Sequence, residues 1–304
     1  MPSSDVADPY RPQRESRSIF HDVRGLRYHL RCWDPSDGAV DGVPTLFLLH
    51  GWMDVSASFQ FVVDLLPPEW RVLAPDWRGF GETDRPRADT YWFPDYLGDL
   101  DALLDAFAPT QAVDVAGHSM GGNVAMLYAG IRPERVRRLV NLDGLGLPAT
   151  RPEQAPERYA KWLDALKSGA TMRDYPSRRA VAERLMRNNP RLRPDRAAFL
   201  ALHWSRRNAD GRFELLGDPV HRLPSPILYR VDETLACWRR IRADVLFVTA
   251  GITDERSDFA RLPDYEERLR AVRSLRRVTV ADAGHMLHHD RPDEIARLIQ
   301  EFLL

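Results

Sequence analysis

Residues 117–121 read Gly-His-Ser-Met-Gly. A serine hydroxyl is a poor nucleophile at neutral pH, so acyl chemistry needs a base beside it, an exposed position and donors for the oxyanion formed on attack. Gly117 and Gly121 supply the room for a strained strand-to-helix turn that lifts Ser119 out of the chain, since side chains there would meet neighbouring backbone. The apolar stretch before this pentapeptide and the helix-like NVAMLYAG after it are the context the turn requires. A base and its orienting acid should follow in the order acid, then histidine. Asp254, in TAGITDE, and His285, in DAGHMLHH, meet that order and each sits just past an apolar run.

Those runs are the elements that must position the three groups. Residues 17–33 alternate polar with β-branched and aromatic residues on either side of Gly25, which predicts an opening hairpin. TLFLL (45–49), RVLAPDW (71–77), AVDVAG (112–117), RRLVNLD (137–143), ADVLFVTAG (243–251) and RRVTVADAG (276–284) are short and largely apolar, as strands covered on both faces are. Between them lie helical patterns such as 95–107, where Leu97, Leu100, Leu103, Leu104 and Phe107 recur at helical spacing. Alternation of this kind predicts an α/β class with a mostly parallel sheet and helices on both faces. In such a sheet, loops at the strands' carboxyl ends build the site, so distant positions converge. The alternation lapses once, between Pro148 and Arg240, which predicts a core of 1–147 and 241–304 carrying an inserted helical domain over 148–240.

Composition excludes several function classes. The 304-residue chain carries a formal net charge of -1 and a pI near 6.8, which is no polyelectrolyte signature for nucleic acid. Cys32 and Cys237 lack zinc-type or CxxC spacing, so we expect two buried thiols in a reducing, cytoplasmic compartment. The polar start and the absence of a long apolar run predict no membrane span. No acidic or cysteine cluster accompanies His288 and His289 in sequence, so no metal is expected; no organic cofactor is needed either. His50 and His118 are expected to pack loops, and Asp54 and Asp76 to accept backbone NH bonds. Residues 151–240 hold seventeen Arg and two Lys against eleven acidic residues, a net of +8, either as solvated helix faces or as a means of steering an anionic, amphipathic substrate.

Four signatures together, HGW at 50–52, DWRGFGETD at 76–84, GHSMGG at 117–122 and GHMLHHDRP at 284–292, resemble those of the α/β-hydrolase superfamily, and most closely its capped serine hydrolases, the serine hydrolase-like proteins among them. The resemblance spans roughly residues 17–147 and 241–304. It implies a serine hydrolase acting on a carboxylic ester through an acyl-enzyme, with the backbone NH groups of Trp52 and Met120 as the oxyanion hole and a small acyl compound as partner. The same triad would serve a thioesterase, C–C bond hydrolase or acyltransferase; a hydrolase-fold binding protein with slow turnover is the reading from another class. Dehalogenases and epoxide hydrolases share HGW but need a carboxylate where Ser119 stands. Asp254 matches the family's usual glycine, two residues, then aspartate. Asp143, ending RRLVNLD, is the alternative acid, since related proteins sometimes carry the acid there. A cap would line the pocket with Phe199, Trp204, Tyr229 and Trp238.

Overall fold

The computed structural model describes residues 7–36, 38, 43–253 and 258–304. Its strands, in chain order, are β1 (Arg17–Val23), β2 (Leu26–Trp33), β3 (Thr45–Leu49), β4 (Arg71–Pro75), β5 (Val113–His118), β6 (Val136–Leu142), β7 (Ser205–Arg207), β8 (Phe213–Leu215), β9 (Asp244–Ala250) and β10 (Leu275–Val280). Eight of them form one sheet in the order β1-β2-β4-β3-β5-β6-β9-β10. The predicted hairpin is present, turning at Arg24 and Gly25, both at positive φ. β2 runs antiparallel to β1 and β4, and every pair from β4 to β10 is parallel.

The helices are α1 (Gln60–Val63), α2 (Phe93–Phe107), α3 (Met120–Ile131), α4 (Ala155–Ser168), α5 (Arg178–Asn188), α6 (Pro194–Trp204), α7 (Val231–Trp238), α8 (Tyr265–Arg270), α9 (Leu287–Asp290) and α10 (Pro292–Leu303). Because successive strand side chains point to opposite faces, the apolar runs divide between two cores. Phe47, Leu49, Val115, Leu139 and Phe247 pack with residues of α2, α3 and α7 on one face. Leu46, Leu48, Ala116, Val140 and Leu246 pack with α1 and α10 on the other. That two-sided cover is why these strands read as continuous apolar runs.

The long connection between β6 and β9 carries α4 to α7 and the β7–β8 hairpin, which the sequence pattern did not foretell. Val181, Leu185, Ala197 and Leu200, from α5 and α6, make a small core that closes on Val55, Ala57 and Phe61 of the main body. α7 instead lies against α3, so closely that a Cβ on Gly130 would come within 2.0 Å of the Cys237 carbonyl oxygen. A strap fixes residues 216–221 to the loop after β4. Gly81 N donates to Leu216 O (2.9 Å), Asp218 N to Gly79 O (2.6 Å) and Tyr91 Oη to Asp218 Oδ2 (2.7 Å). The His221 ring stacks between Phe80 and Tyr91, at 3.8 and 3.7 Å between centroids.

Candidate active site

Ser119 stands between β5 and α3 with φ 50° and ψ −114°, a conformation a non-glycine residue holds only where its surroundings over-determine it, at a cost of about 1–3 kcal/mol. The surroundings here are glycines. A Cβ on Gly117 would lie 2.5 Å from the Gly121 carbonyl carbon, and one on Gly121 would lie 2.1 Å from Leu49 O. The turn therefore presses α3 against the ends of β3 and β5 and holds the serine above both.

The His285 imidazole, in the loop between β10 and α9, lies with Nε2 3.0 Å from Ser119 Oγ and Nδ1 2.7 Å from Asp143 Oδ2. With Nδ1–H donated to the carboxylate, the Nε2 lone pair faces the serine hydroxyl and can accept its proton. Asp143 follows β6 at φ 58°; its side chain is fully enclosed, and Ala250 N donates to its Oδ1 at 3.2 Å. Among the described residues the acid that meets the histidine is Asp143, the sequence alternative; Asp254, the acid the sequence favours, lies outside the described residues. The reason is geometric. β6 adjoins β5 in the sheet, so the residue after β6 starts one strand spacing from the nucleophile and reaches Nδ1 directly.

Two buried histidines, His118 and His50, set the positions around this chain. His118 Nε2–H donates to His285 O at 2.8 Å, which fixes the loop carrying the base. Burial, then the neighbouring histidines 288 and 285, hold its pKa well below the ordinary value, so it stays neutral. His50 Nε2 accepts from Trp77 N at 2.9 Å and its Nδ1–H donates to Gly51 O at 2.8 Å. Burial likewise depresses its pKa. The 50–52 loop so fixed runs against the elbow: a Cβ on Gly51 would be 2.8 Å from His118 Nδ1 and 3.2 Å from Ser119 Cβ. Trp52, the next residue, lines the same cavity as Ser119. Met120 opens α3, and first-turn NH groups have no intrahelical acceptor. The exposed Trp52 indole donates to His221 O at 3.3 Å, tying this loop to the strap.

Asp76 accepts from Ser56 N (2.7 Å) and Glu82 N (3.0 Å) and meets His29 Nδ1 at 2.7 Å. Burial alone would raise its pKa; the His29 bond and charge outweigh that and bring it well below the carboxylate range. Asp54 accepts from Val55 N at 2.8 Å. Its other oxygen, Oδ2, lies 3.4 Å from His288 Nε2, so the fold brings a carboxylate from a distant loop to His288 and His289. Among the described residues these three form the one cluster with metal-ligating donors, spread over as much as 4.8 Å. Donors on a tetrahedral zinc sit roughly 3.4 Å apart, as bonds of about 2.0–2.1 Å require, so the arrangement as it stands is a polar layer packed beneath the triad.

Ser119 and His285 open into a cavity of about 780 Å³. Of the four aromatics expected in its wall, Trp204 lines it. The other three are corrections: Phe199 is buried against Phe61 and Tyr10, Tyr229 packs on Phe93 and Trp92, and Trp238 lies in the core of the main body, 1% exposed. A large apolar side chain in a connection serves its packing before it serves a pocket, and composition does not separate the two. The wall residues that sequence reasoning missed include Met53, Met172, Leu185 and Leu215; the one signal is the apolar spacing on α5 that includes Leu185, which reads equally as core.

A family model described as the alpha/beta hydrolase fold matches residues 44–292. A serine hydrolase-like protein of Danio rerio is 31% identical over 281 residues, 89% of this chain and 83% of its own. A cis-3-alkyl-4-alkyloxetan-2-one decarboxylase of Shewanella oneidensis is 26% identical, covering 84% of this chain and 80% of its own. Among solved structures, the thioesterase domain from the curacin biosynthetic pathway superposes with a TM-score of 0.83 at 24% identity, over 94% of this chain and 99% of that one. With the elbow, the parallel sheet and these matches in agreement, the chain belongs to the α/β hydrolase fold family.

Proposed function

We propose that the protein is a serine hydrolase that cleaves a carboxylic ester or a related acyl compound through an acyl-enzyme. The observation that carries this is the unbroken relay from Ser119 Oγ through His285 to Asp143, at 3.0 and 2.7 Å, mounted on a strained turn. Ser119 Oγ attacks the acyl carbon while His285 Nε2 takes its proton, and the carbonyl electrons move onto oxygen. The NH groups of Trp52 and Met120 hold that oxyanion. Its collapse expels the leaving group, which receives the proton from His285. Water, deprotonated by the same nitrogen, then attacks the acyl-enzyme and releases the acid and free Ser119. Asp143 keeps the proton on Nδ1 and stabilises the imidazolium. Each oxyanion donor contributes about 3–4 kcal/mol to the transition state in sites of this kind.

The stretch 148–240 acts as the cap over the site, held down by the strap at 216–221. Cys32 and Cys237 are free thiols, which supports a reducing, cytoplasmic setting. Among the described residues no helix is long and apolar enough to cross a membrane.

The test pairs a fluorophosphonate label with a p-nitrophenyl ester series. Wild type should label on Ser119 and turn over, and Ser119→Ala should do neither while remaining folded. Ester turnover by Ser119→Ala above about a hundredth of wild type would remove the serine from its role, because losing the nucleophile of such a triad costs several orders of magnitude. Labelling of wild type with no turnover across the series would favour a ligand-binding protein.

A further inference from the structure

We infer that the substrate is an amphipathic acyl compound bearing an anionic group, carboxylate or phosphate, whose apolar part fills the cavity while Arg173, Arg184 and Arg222 hold the anion. This rests on the hydrolase reading above and names its substrate class.

The argument starts from which arginines have partners. Around the proposed cap, several of those turned to solvent find carboxylates, Arg179 with Glu183 at 2.9 Å, Arg193 with Asp195 at 3.0 Å, Arg206 with Glu214 at 2.6 Å, Arg212 with Asp174 at 2.9 Å and Arg230 with Asp232 at 2.8 Å, while the exposed Arg187, Arg207 and Arg240 stand in solvent without one among the described residues. The pairs are the solvated faces that a charge-rich segment displays, and each contributes little. Three arginines without a carboxylate converge on the cavity, and two of them, Arg173 and Arg222, are themselves exposed. Arg173 comes from the loop before α5, Arg184 from α5 itself and Arg222 from the end of the strap. None of the three forms an ion pair with a carboxylate among the described residues. Arg184 is half-buried.

The carboxylates on the same wall are already engaged. Asp143 faces His285, and Asp258 pairs with Arg261. Three elements therefore bring uncompensated cations to one concavity, where low-dielectric walls concentrate their field. A planar guanidinium offers parallel donors that suit the two oxygens of a carboxylate or phosphate. The remaining wall, with Met53, Met172, Leu185, Leu192, Leu200 and Leu215, offers apolar contact. At about 780 Å³ the space lies within the range of about 300–1,000 Å³ usual for small-molecule sites.

The experiment compares matched pairs at 20 mM and 500 mM NaCl. In the first arm, the p-nitrophenyl monoester of octanedioic acid is set against its neutral ω-methyl ester. In the second, octanoyl-coenzyme A is set against octanoyl-N-acetylcysteamine. For at least one arm, kcat/KM at low salt should favour the anionic member by about tenfold or more and fall steeply at high salt, while the neutral member hardly responds. The arm that shows the preference identifies carboxylate or phosphate. Arg184→Gln with Arg222→Gln should bring the anionic member close to the neutral one, and Arg206→Gln, outside the cavity, should leave the preference intact. Turnover of the neutral members with parallel salt curves in both arms would overturn the anionic class and leave the hydrolase standing. Failure of all four compounds, together with no fluorophosphonate labelling, would instead strike the hydrolase reading.

Discussion

Asp143 is where the local and non-local parts of the site separate. Replacing it with asparagine keeps the shape but lets the amide donate to Nδ1, which favours the wrong imidazole tautomer. We expect kcat to fall about 10³- to 10⁴-fold, while Asp254→Asn stays within a few-fold of wild type; steady-state kinetics on one ester compares the two, and the opposite ranking would return the role to Asp254. Ser119 could be read from five consecutive residues, because its turn needs glycines that are neighbours in the chain. The base could be read as well, from its place past an apolar strand. The acid is left open between two: Asp143 and Asp254 each follow an apolar strand, and which carboxylate can reach Nδ1 depends on the sheet order β5-β6-β9. No spacing in the chain encodes that order.

At the scale of elements, the strap joins the proposed cap to the loop after β4 and, through Trp52, to the 50–52 loop. Tyr91 and Asp218 are both nearly enclosed, so Tyr91→Phe leaves a buried carboxylate short of one donor. A loss of about 1–3 kcal/mol in urea unfolding is expected, along with lower kcat/KM as the 216–221 segment loosens. A change below about 0.3 kcal/mol would mean that the stacked rings alone hold the segment. The predicted strands coincide with the observed ones because burial on both faces writes itself as an unbroken apolar run. β7 and β8 are three residues each, too short to show alternation. The burial of Phe199, Tyr229 and Trp238 was hidden for a related reason: an insertion's own core and its pocket wall use the same residue types.

The whole molecule carries a pH dependence set by histidines folded in neutral form. Burial, the leading cause, pushes His221 and His289 down to about 3 and His203 to about 4. In the unfolded chain a histidine titrates near 6.5. Above that pH neither state binds the proton and these groups leave stability unchanged. Below it the unfolded chain is protonated while the folded one is not, so stability is progressively lost as pH falls from about 6.5 towards 4, by up to about 1.4 kcal/mol per pH unit for each histidine. Unfolding midpoints in urea at pH 7.5, 6.5, 5.5 and 4.5 should be level over the first pair and then decline. His221→Gln should be less stable at neutral pH, having lost its stacked position, yet show a shallower decline. An equal slope in the variant would show that His221 does not remain neutral in the fold.

The position of Asp143 has a further consequence for how this scaffold can change. Nucleophile and acid sit at the ends of adjacent strands in the middle of the sheet, where a shift in one moves the other with it. After β9, Asp258, Phe259 and Leu262 border the cavity. Chemistry and selectivity then reside on separate stretches of chain. Under the relay proposed above, substitutions at Phe259 and Leu262 change the shape offered to a substrate without touching the spacing between Ser119, His285 and Asp143.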